Sequence, residues 1–293
     1  MIYAPAPLNV WQIATFAMLL LTAIGLWIAP RFWAGCLIMA TLFGYVAGVL
    51  QGVAVLWIAL AVVVCRIDRD VSLRDAGMQR LLSGMGVVAM TLPLGMHALP
   101  GFNNPMVMDR IKFSADAELF TLYLNFDKTL AGILLLGLCC PDGPSLRKWL
   151  DTLRPGAVLL IACNVVLLIA ASYILGYVRF DPKWTPLFWL WGVVNLFSVC
   201  LSEEAFFRGF VQQRLQLALR HRQFGDAYSL AVSALLFGFV HFAGGWKYVL
   251  LASLAGLGYG YVFLRTRRIE WSMLAHFSLN SAHFFLFTYP RLA

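Results

Sequence analysis

The sequence predicts an all-α protein, a polytopic bundle of about 8–10 transmembrane helices. Of its 293 residues, 61% are hydrophobic and only 12% are charged, whereas a soluble domain carries about 25% charged residues. The mean hydropathy is +0.78. Several apolar runs approach or exceed the ~20 residues that cross a ~30 Å hydrocarbon core. These observations predict an integral, multi-pass membrane protein. We expect it in a bacterial inner or plasma membrane.

Ten apolar segments underlie this prediction, and each is expected to be one helix. They span residues 10–29, 32–48, 53–65, 81–99, 119–140, 156–178, 185–210, 229–243, 246–264 and 271–289. The second and third are short. They form either a tight hairpin broken between Gly48 and Gly52 or one long tilted helix, and the choice changes the number of spans by one.

Two parts of the chain are expected. Residues 1–140 are interpreted as an N-terminal transmembrane accessory region and residues 141–293 as the core, with the boundary in Pro141-Asp142-Gly143-Pro144. No internal repeat is visible. The polar stretch from Gly101 to Glu118 is predicted to be a solvated loop, with a lid or a substrate-admitting element as the alternative. Asp127 and Lys128 just beyond it are expected to form an interfacial pair.

The net charge of +8 is explained by topology. Most Lys and Arg residues fall in one set of alternate loops, which marks those loops as cytoplasmic and places both termini outside. No nucleic-acid recognition motif is present, so no nucleic acid is expected as a partner. None of the six cysteines forms a C-x-x-C pair, which argues against a disulfide framework or a zinc knuckle.

The most informative polar residues lie within the seventh apolar segment. Glu203, Glu204 and Arg208 each cost roughly 2.5–3.5 kcal/mol at the centre of a membrane helix. Glu204 and Arg208 are spaced i, i+4 and are expected to pair. Glu203 is rotated by about 100° from Glu204, so it is expected to be unpaired and to face a cavity, where a carboxylate suits a general base. The alternative is a polar knot that only orients helices.

Histidines in later apolar segments complete the candidate site. His241 ends the stretch Phe237-Gly238-Phe239-Val240-His241, although a lone histidine on an apolar helix is more often part of a hydrogen-bonded core. His276 and Asn280 are spaced i, i+4, so both can reach one cavity. A neutral His and an Asn each offer an N–H donor, and two such donors suit an oxyanion. His283 extends this face and is expected to be interfacial or to support the site.

At these residues the chain resembles the CAAX prenyl protease and bacteriocin-processing family of intramembrane endopeptidases. The family pattern is E-E-x-x-x-R, then F-x-x-x-H, then H-x-x-x-N. The matching residues are Glu203, Glu204 and Arg208, then Phe237 and His241, then His276 and Asn280. The resemblance covers roughly residues 150–290.

This resemblance implies hydrolysis of a peptide bond inside a helix-lined cavity. Glu203 would activate water, His241 would help to hold it, and His276 and Asn280 would stabilise the oxyanion. Glu204, Arg208 and Phe237 would brace the site. The implied substrate is a peptide or protein with a hydrophobic or lipidated C-terminal region, reached in contact with membrane lipid.

No cofactor is expected, because a carboxylate can activate water without a metal and the H-E-x-x-H motif is absent. Zinc is the alternative, held by Glu203, His241 and His276, since Glu and His are ligands that zinc accepts.

Two other classes of function remain open from the sequence. A non-catalytic membrane immunity or scaffold protein could keep the same fold. Intramembrane Glu and His residues also mark transporters and proton relays, although the inverted repeats common in transporters are not visible.

Overall fold

The structure, a computed structural model, describes residues 7–74, 77–140, 143–153 and 155–293. The described residues form an all-α bundle, as predicted, and every predicted apolar segment overlaps a helix. The helices are α1 (Val10–Ile28), α2 (Trp33–Val46), α3 (Gly52–Arg74), α4 (Met78–Gly95), α5 (Phe126–Leu134), α6 (Leu146–Leu150), α7 (Pro155–Ile174), α8 (Phe188–Ala218), α9 (Gly225–Phe239), α10 (Trp246–Thr266) and α11 (Ile269–Leu286).

Four helices of the described chain, α1, α7, α8 and α10, are long and apolar enough to cross a membrane. The helices α2 and α9 are apolar but shorter. This composition identifies an integral membrane protein, while the count of about 8–10 spans stays a prediction.

The second and third apolar segments are separate helices. Helix α2 ends at Val46 and α3 begins at Gly52. Between them Gly48 has φ +73°, in the left-handed region that glycine enters without steric cost. The single long tilted helix is therefore excluded.

A β-hairpin follows α4, which the sequence analysis did not predict. Its first strand lies in the polar stretch Gly101 to Glu118, and its second lies in the fifth apolar segment, 119–140, which was predicted to be one helix. Strand β1 (Met106–Ile111) pairs antiparallel with β2 (Phe120–Tyr123). The solvated-loop interpretation is wrong for β1, and the helix prediction is wrong for β2. Met108 of β1 and Leu122 of β2 are both buried in an apolar cluster with Trp191, Val194 and Phe284. These partners lie far away in the sequence and could not be seen in the loop itself.

Asp127 and Lys128 do not pair with each other as expected. The Asp127 carboxylate is 2.8 Å from His97 Nδ1 and accepts a hydrogen bond from Asn104 at 2.9 Å. Its backbone neighbour Lys128 turns the other way, into the bundle. The predicted interfacial pair is wrong because each side chain has a closer partner on another element.

The loops gather at two ends of the bundle. At one, which we call the hairpin end, Arg291 near the C-terminus pairs with Glu118 at 2.8 Å and donates to the Gly244 carbonyl. At the other, which we call the basic end, Arg268 pairs with Glu270 at 2.6 Å and donates to the Ser145 carbonyl. The basic end carries the larger predicted set of Lys and Arg residues.

One apolar cluster joins the two predicted parts of the chain. It contains Leu130 and Leu134 of α5 together with Leu201 and Ala205 of α8. The division into residues 1–140 and 141–293 stays a prediction, and Pro141 and Asp142 of its boundary lie outside the described residues. The shared cluster places α5 directly against the helix that carries the glutamates.

Candidate active site

Helix α8 positions the two glutamates on different sides of its axis. They lie in a short α-helical turn, Leu201–Glu204, between two π-helical segments, Asn195–Cys200 and Ala205–Gln212. Such π-helical segments occur often at functional sites. The side chain of Glu204 is fully buried, whereas that of Glu203 keeps 14% exposure and lines a cavity. The side chains of Glu203 and Glu204 thus point in different directions, as helical geometry predicts.

A glycine lets α5 approach α8 at this turn. A Cβ atom on Gly132 would lie 2.8 Å from the Ser202 Cα, closer than side chains tolerate. The two backbones can therefore meet only because residue 132 has no side chain. This close approach brings the first turn of α5 within reach of Glu203.

The buried polar group centres on Glu204. Its Oε1 lies 3.2 Å from Arg208 NH1 and 2.9 Å from His276 Nδ1. Both Glu204 and Arg208 have no exposed side-chain surface. The guanidinium also donates to the Gly256 carbonyl at 3.0 Å and lies 4.6 Å from the centre of the Phe237 ring. The group thus ties α8, α9, α10 and α11 together.

Glu203 is not the unpaired carboxylate that we expected from the sequence. Its Oε1 accepts a hydrogen bond from Lys128 Nζ at 2.7 Å, and its Oε2 lies 4.0 Å from His241 Nε2. That expectation fails because the Gly132 contact brings Lys128 of α5 to the carboxylate. The Lys128 ammonium binds one carboxylate oxygen and offsets its negative charge. The second oxygen still faces His241.

Sequence reasoning missed Lys128 as a site residue. Its signal was a lysine inside an otherwise apolar helix, the same kind of signal that identified Glu203. The partner lies 75 positions later, so only the packing of α5 on α8 reveals the pair.

His241 presents an acceptor to Glu203 when its ring is neutral. Its Nδ1 lies 2.7 Å from the Phe237 carbonyl, which can only accept, so Nδ1 carries the proton. The Nε2 lone pair then points towards the carboxylate. A water molecule that donates one hydrogen to each group would have its own lone pairs free for attack.

The donor role expected for His276 depends on its protonation. With Nδ1 donating to the Glu204 carboxylate, the neutral ring has a lone pair at Nε2 and no second N–H. Only the imidazolium form could donate to an oxyanion. Asn280 Nδ2, by contrast, is a donor in any state, and it donates to Asn195 Oδ1 at 3.1 Å.

All four residues predicted to be catalytic line one cavity of about 670 Å³. Glu203, His241, His276 and Asn280 lie in its wall, together with Asn195 and His283. His283 lies 3.0 Å from the Thr288 carbonyl through Nε2. The cavity extends to the hairpin end, where Glu118, Gly244 and Arg291 line it. Phe237 lies between the two histidines, with ring centres 4.8 Å from His241 and 5.9 Å from His276.

The donor set does not suit the zinc alternative. One Glu203 oxygen is held by Lys128, and the His276 nitrogen nearest to a carboxylate faces Glu204 instead. In the part of the chain that the structure describes, no three His, Cys, Asp or Glu side chains form a cluster that could hold a metal ion. We derive no chemical step through a metal.

The comparisons with known proteins agree with the motif pattern. Residues 184–282 match the family described as type II CAAX prenyl endopeptidase, Rce1-like. This match confirms the resemblance that the motifs suggested, and it includes every motif residue from Glu203 to Asn280. No curated protein and no solved structure matches the chain. The matched family is one of peptidases, which hydrolyse peptide bonds.

Proposed function

We propose that this protein is an intramembrane endopeptidase that cleaves C-terminal or membrane-associated segments of lipidated or membrane-anchored proteins. The observation that carries the proposal is the arrangement around Glu203. A carboxylate with one oxygen held by a cation and the other facing a histidine acceptor lies in the wall of a cavity inside a membrane helix bundle.

In the proposed reaction, water donates hydrogen bonds to Glu203 and to His241 Nε2 and attacks the scissile carbonyl carbon. Glu203 takes the proton as the carbon–oxygen bond forms. Asn280, and His276 when protonated, donate to the oxyanion. When the carbon–nitrogen bond breaks, Glu203 returns the proton to the leaving amine, so the first products are a carboxylic acid and an amine. A proton then passes from the acid to the amine, which leaves a carboxylate and an ammonium group.

The proposed enzyme needs no metal, because the proton acceptor and the oxyanion donors are side chains. The proposed substrate is admitted from the hairpin end, where the cavity reaches the loops. By the bias of Lys and Arg residues this end faces away from the cytoplasm, in a bacterial inner or plasma membrane.

The competing functions predict different chemistry for the same residues. An immunity or scaffold protein would need the Glu204–Arg208 brace but no water-activating carboxylate facing a cavity. A transporter or proton relay would need alternate access to both ends, whereas the residues lining this cavity connect it with the hairpin end.

The proposal is tested by cleavage of membrane-anchored peptides, prenylated and unmodified, with the purified protein. Wild-type protein, Glu203→Gln protein and wild-type protein treated with a chelator are compared on the same panel. We expect cleavage that is lost in the variant and kept with the chelator. Cleavage lost with the chelator and restored by zinc would contradict the metal-free mechanism.

The same panel separates the competing functions. Substrate-dependent flux in proteoliposomes without peptide cleavage would favour the transporter. If cells that carry Glu203→Gln behave like cells that carry the wild-type protein, the immunity or scaffold function is favoured.

A further inference from the structure

Strand β2 presents its edge to the candidate active-site cavity. Its four consecutive residues, Phe120, Thr121, Leu122 and Tyr123, all line the cavity. Side chains of a strand alternate between its two faces, so a strand that turned one face to the cavity would contribute only every second residue. Four successive lining residues indicate that the backbone edge itself borders the cavity.

The edge that borders the cavity is the one that β1 does not occupy. Tyr123 lies opposite Met106, and Leu122 lies opposite Met108. Because Leu124 N–H donates to the Pro105 carbonyl, Tyr123 and Met106 form a non-hydrogen-bonded pair, and the even-numbered residues of β2 direct their backbone groups towards β1. In an antiparallel pair the alternate residues direct theirs the other way. The N–H and C=O groups of Thr121 and Tyr123 therefore point away from β1.

Within the described residues the sheet consists of β1 and β2 alone, so no further strand pairs with the other edge of β2. The nearby C-terminal segment pairs with positions before β2 instead: Glu118 N–H donates to Arg291, and Ala293 N–H donates to Asp116. An unpaired strand edge is a template for a further strand, and here it borders a cavity rather than bulk solvent alone.

The chain carries this edge directly to the candidate catalytic carboxylate. After β2 comes Asn125, which also lines the cavity and precedes the first residue of α5. Lys128 follows in the first turn of α5 and holds Glu203 at 2.7 Å. A backbone lying along β2 would thus run past the water that Glu203 and His241 are proposed to hold.

We propose that the substrate peptide binds in an extended conformation as a third strand on the free edge of β2. The inference rests on the proposed peptidase function and specifies how that site recognises its substrate. Main-chain hydrogen bonds from Thr121 and Tyr123 would supply affinity with little dependence on sequence, and side chains of the peptide would alternate between the cavity and the hairpin face. An extended peptide also exposes its scissile carbonyl, which a helical segment does not.

Proline substitution tests the edge with a matched control. Thr121→Pro removes one outward N–H, a change that sheets accept on a free edge. Thr121→Ala keeps this N–H but loses the same hydroxyl, which accepts from Arg110 N–H. We expect Thr121→Pro to raise KM by about 3–10-fold relative to Thr121→Ala, the usual net worth of one hydrogen bond, with both variants melting within a few degrees of each other.

The free edge is also testable without any substrate. In the purified protein, hydrogen exchange at single-residue resolution should show fast exchange of the Thr121 and Tyr123 amides and slow exchange of the Leu122 and Leu124 amides. A peptide that is cleaved should slow exchange at Thr121 and Tyr123. Slow exchange of both amides in the free protein would overturn the proposal, because the edge would already be occupied.

The outcomes separate the two proposals. If peptides are cleaved while Thr121→Pro and Thr121→Ala have equal KM values, the strand proposal fails and the peptidase proposal stands. If the wild-type protein cleaves no peptide of the panel and none slows exchange at Thr121 and Tyr123, both proposals are rejected.

Discussion

The two carboxylate oxygens of Glu203 face different side chains, Lys128 and His241. The ammonium fixes Oε1, and Oε2 is left towards the histidine. A base must be held close to the productive geometry, since a misplacement of about 1 Å can cost about 100-fold in rate. Lys128 is therefore assigned the role of positioning Glu203, rather than that of touching the substrate.

Replacing Lys128 with Met tests this positioning role. We expect kcat to fall by about 10–100-fold with little change in KM, because the carboxylate loses its anchor while the cavity wall is kept. Lys128→Arg should retain more of the activity, since it restores a cation. Steady-state kinetics on a cleaved peptide measure both, and an unchanged kcat in Lys128→Met would remove Lys128 from the site.

Arg208 is the residue whose loss should cost most in stability. Arg208→Ala leaves Glu204 as a buried carboxylate without its cation, and breaking such a pair costs about 3–5 kcal/mol. The control is Arg179→Ala, which removes an exposed pair with Asp116 worth about 0–1 kcal/mol. Thermal unfolding in detergent compares the two, and equal melting temperatures would contradict the brace.

His276 and Asn280 are predicted to act on the transition state. Changing either to Ala should lower kcat by about 10²–10³-fold, the usual effect of removing one oxyanion donor. His276 donates from Nε2 only as imidazolium, whereas the Asn280 side-chain amide is always a donor. A change confined to KM would assign these residues to substrate binding.

At the scale of elements, the site depends on how closely α5 approaches α8. Gly132 permits this approach beside Ser202, and the contact brings Lys128 to Glu203. The two π-helical segments of α8 flank the turn that carries both glutamates. Neither feature involves the family motifs themselves.

Gly132→Ala tests the close approach. Overpacking of this kind costs about 1–3 kcal/mol, and the displaced α5 should also weaken the Lys128–Glu203 pair, so both stability and kcat should fall. Gly35→Ala, at a helical glycine with open space around it, is the control. Equal melting temperatures and kcat values of the two variants would show that α5 and α8 can move apart at Ser202 without cost.

The sequence predicted the helices of this protein better than its hairpin. Long apolar runs identify helices from hydropathy alone, so each predicted segment overlaps a helix, although residues 120–123 of the fifth segment form strand β2 instead. Strand β1 carries Asp109 and Arg110 among its apolar residues, and its Met108 is buried only by contacts with distant helices. A pattern that depends on tertiary partners cannot be recognised within six residues.

The same limit applies to the candidate site. The spacing of Glu204 and Arg208 on one helix predicted their contact, because the pair is local. The contacts of Glu203 with Lys128 and of Glu204 with His276 join residues more than 70 positions apart, and only the packed bundle brings them together. For this reason the sequence analysis wrongly treated Glu203 as unpaired.

At the scale of the whole molecule, the N-terminal half contributes to the site that the family motifs define. Lys128, Asn125 and the edge of β2 precede residue 140, whereas the family match covers residues 184–282. One apolar cluster joins both halves. Residues 1–140 are thus expected to help to bind and orient the substrate, and the motif residues are expected to hydrolyse it.

The central claim is that Glu203 activates the attacking water. The most direct measurement is the turnover of Glu203→Gln on a peptide that the wild-type protein cleaves, with folding checked by gel filtration in detergent. Gln has nearly the same shape but cannot take a proton at neutral pH, so the account predicts a folded, monodisperse protein without measurable cleavage. Cleavage at the wild-type rate would contradict the account, because another group would then have to remove the proton from water.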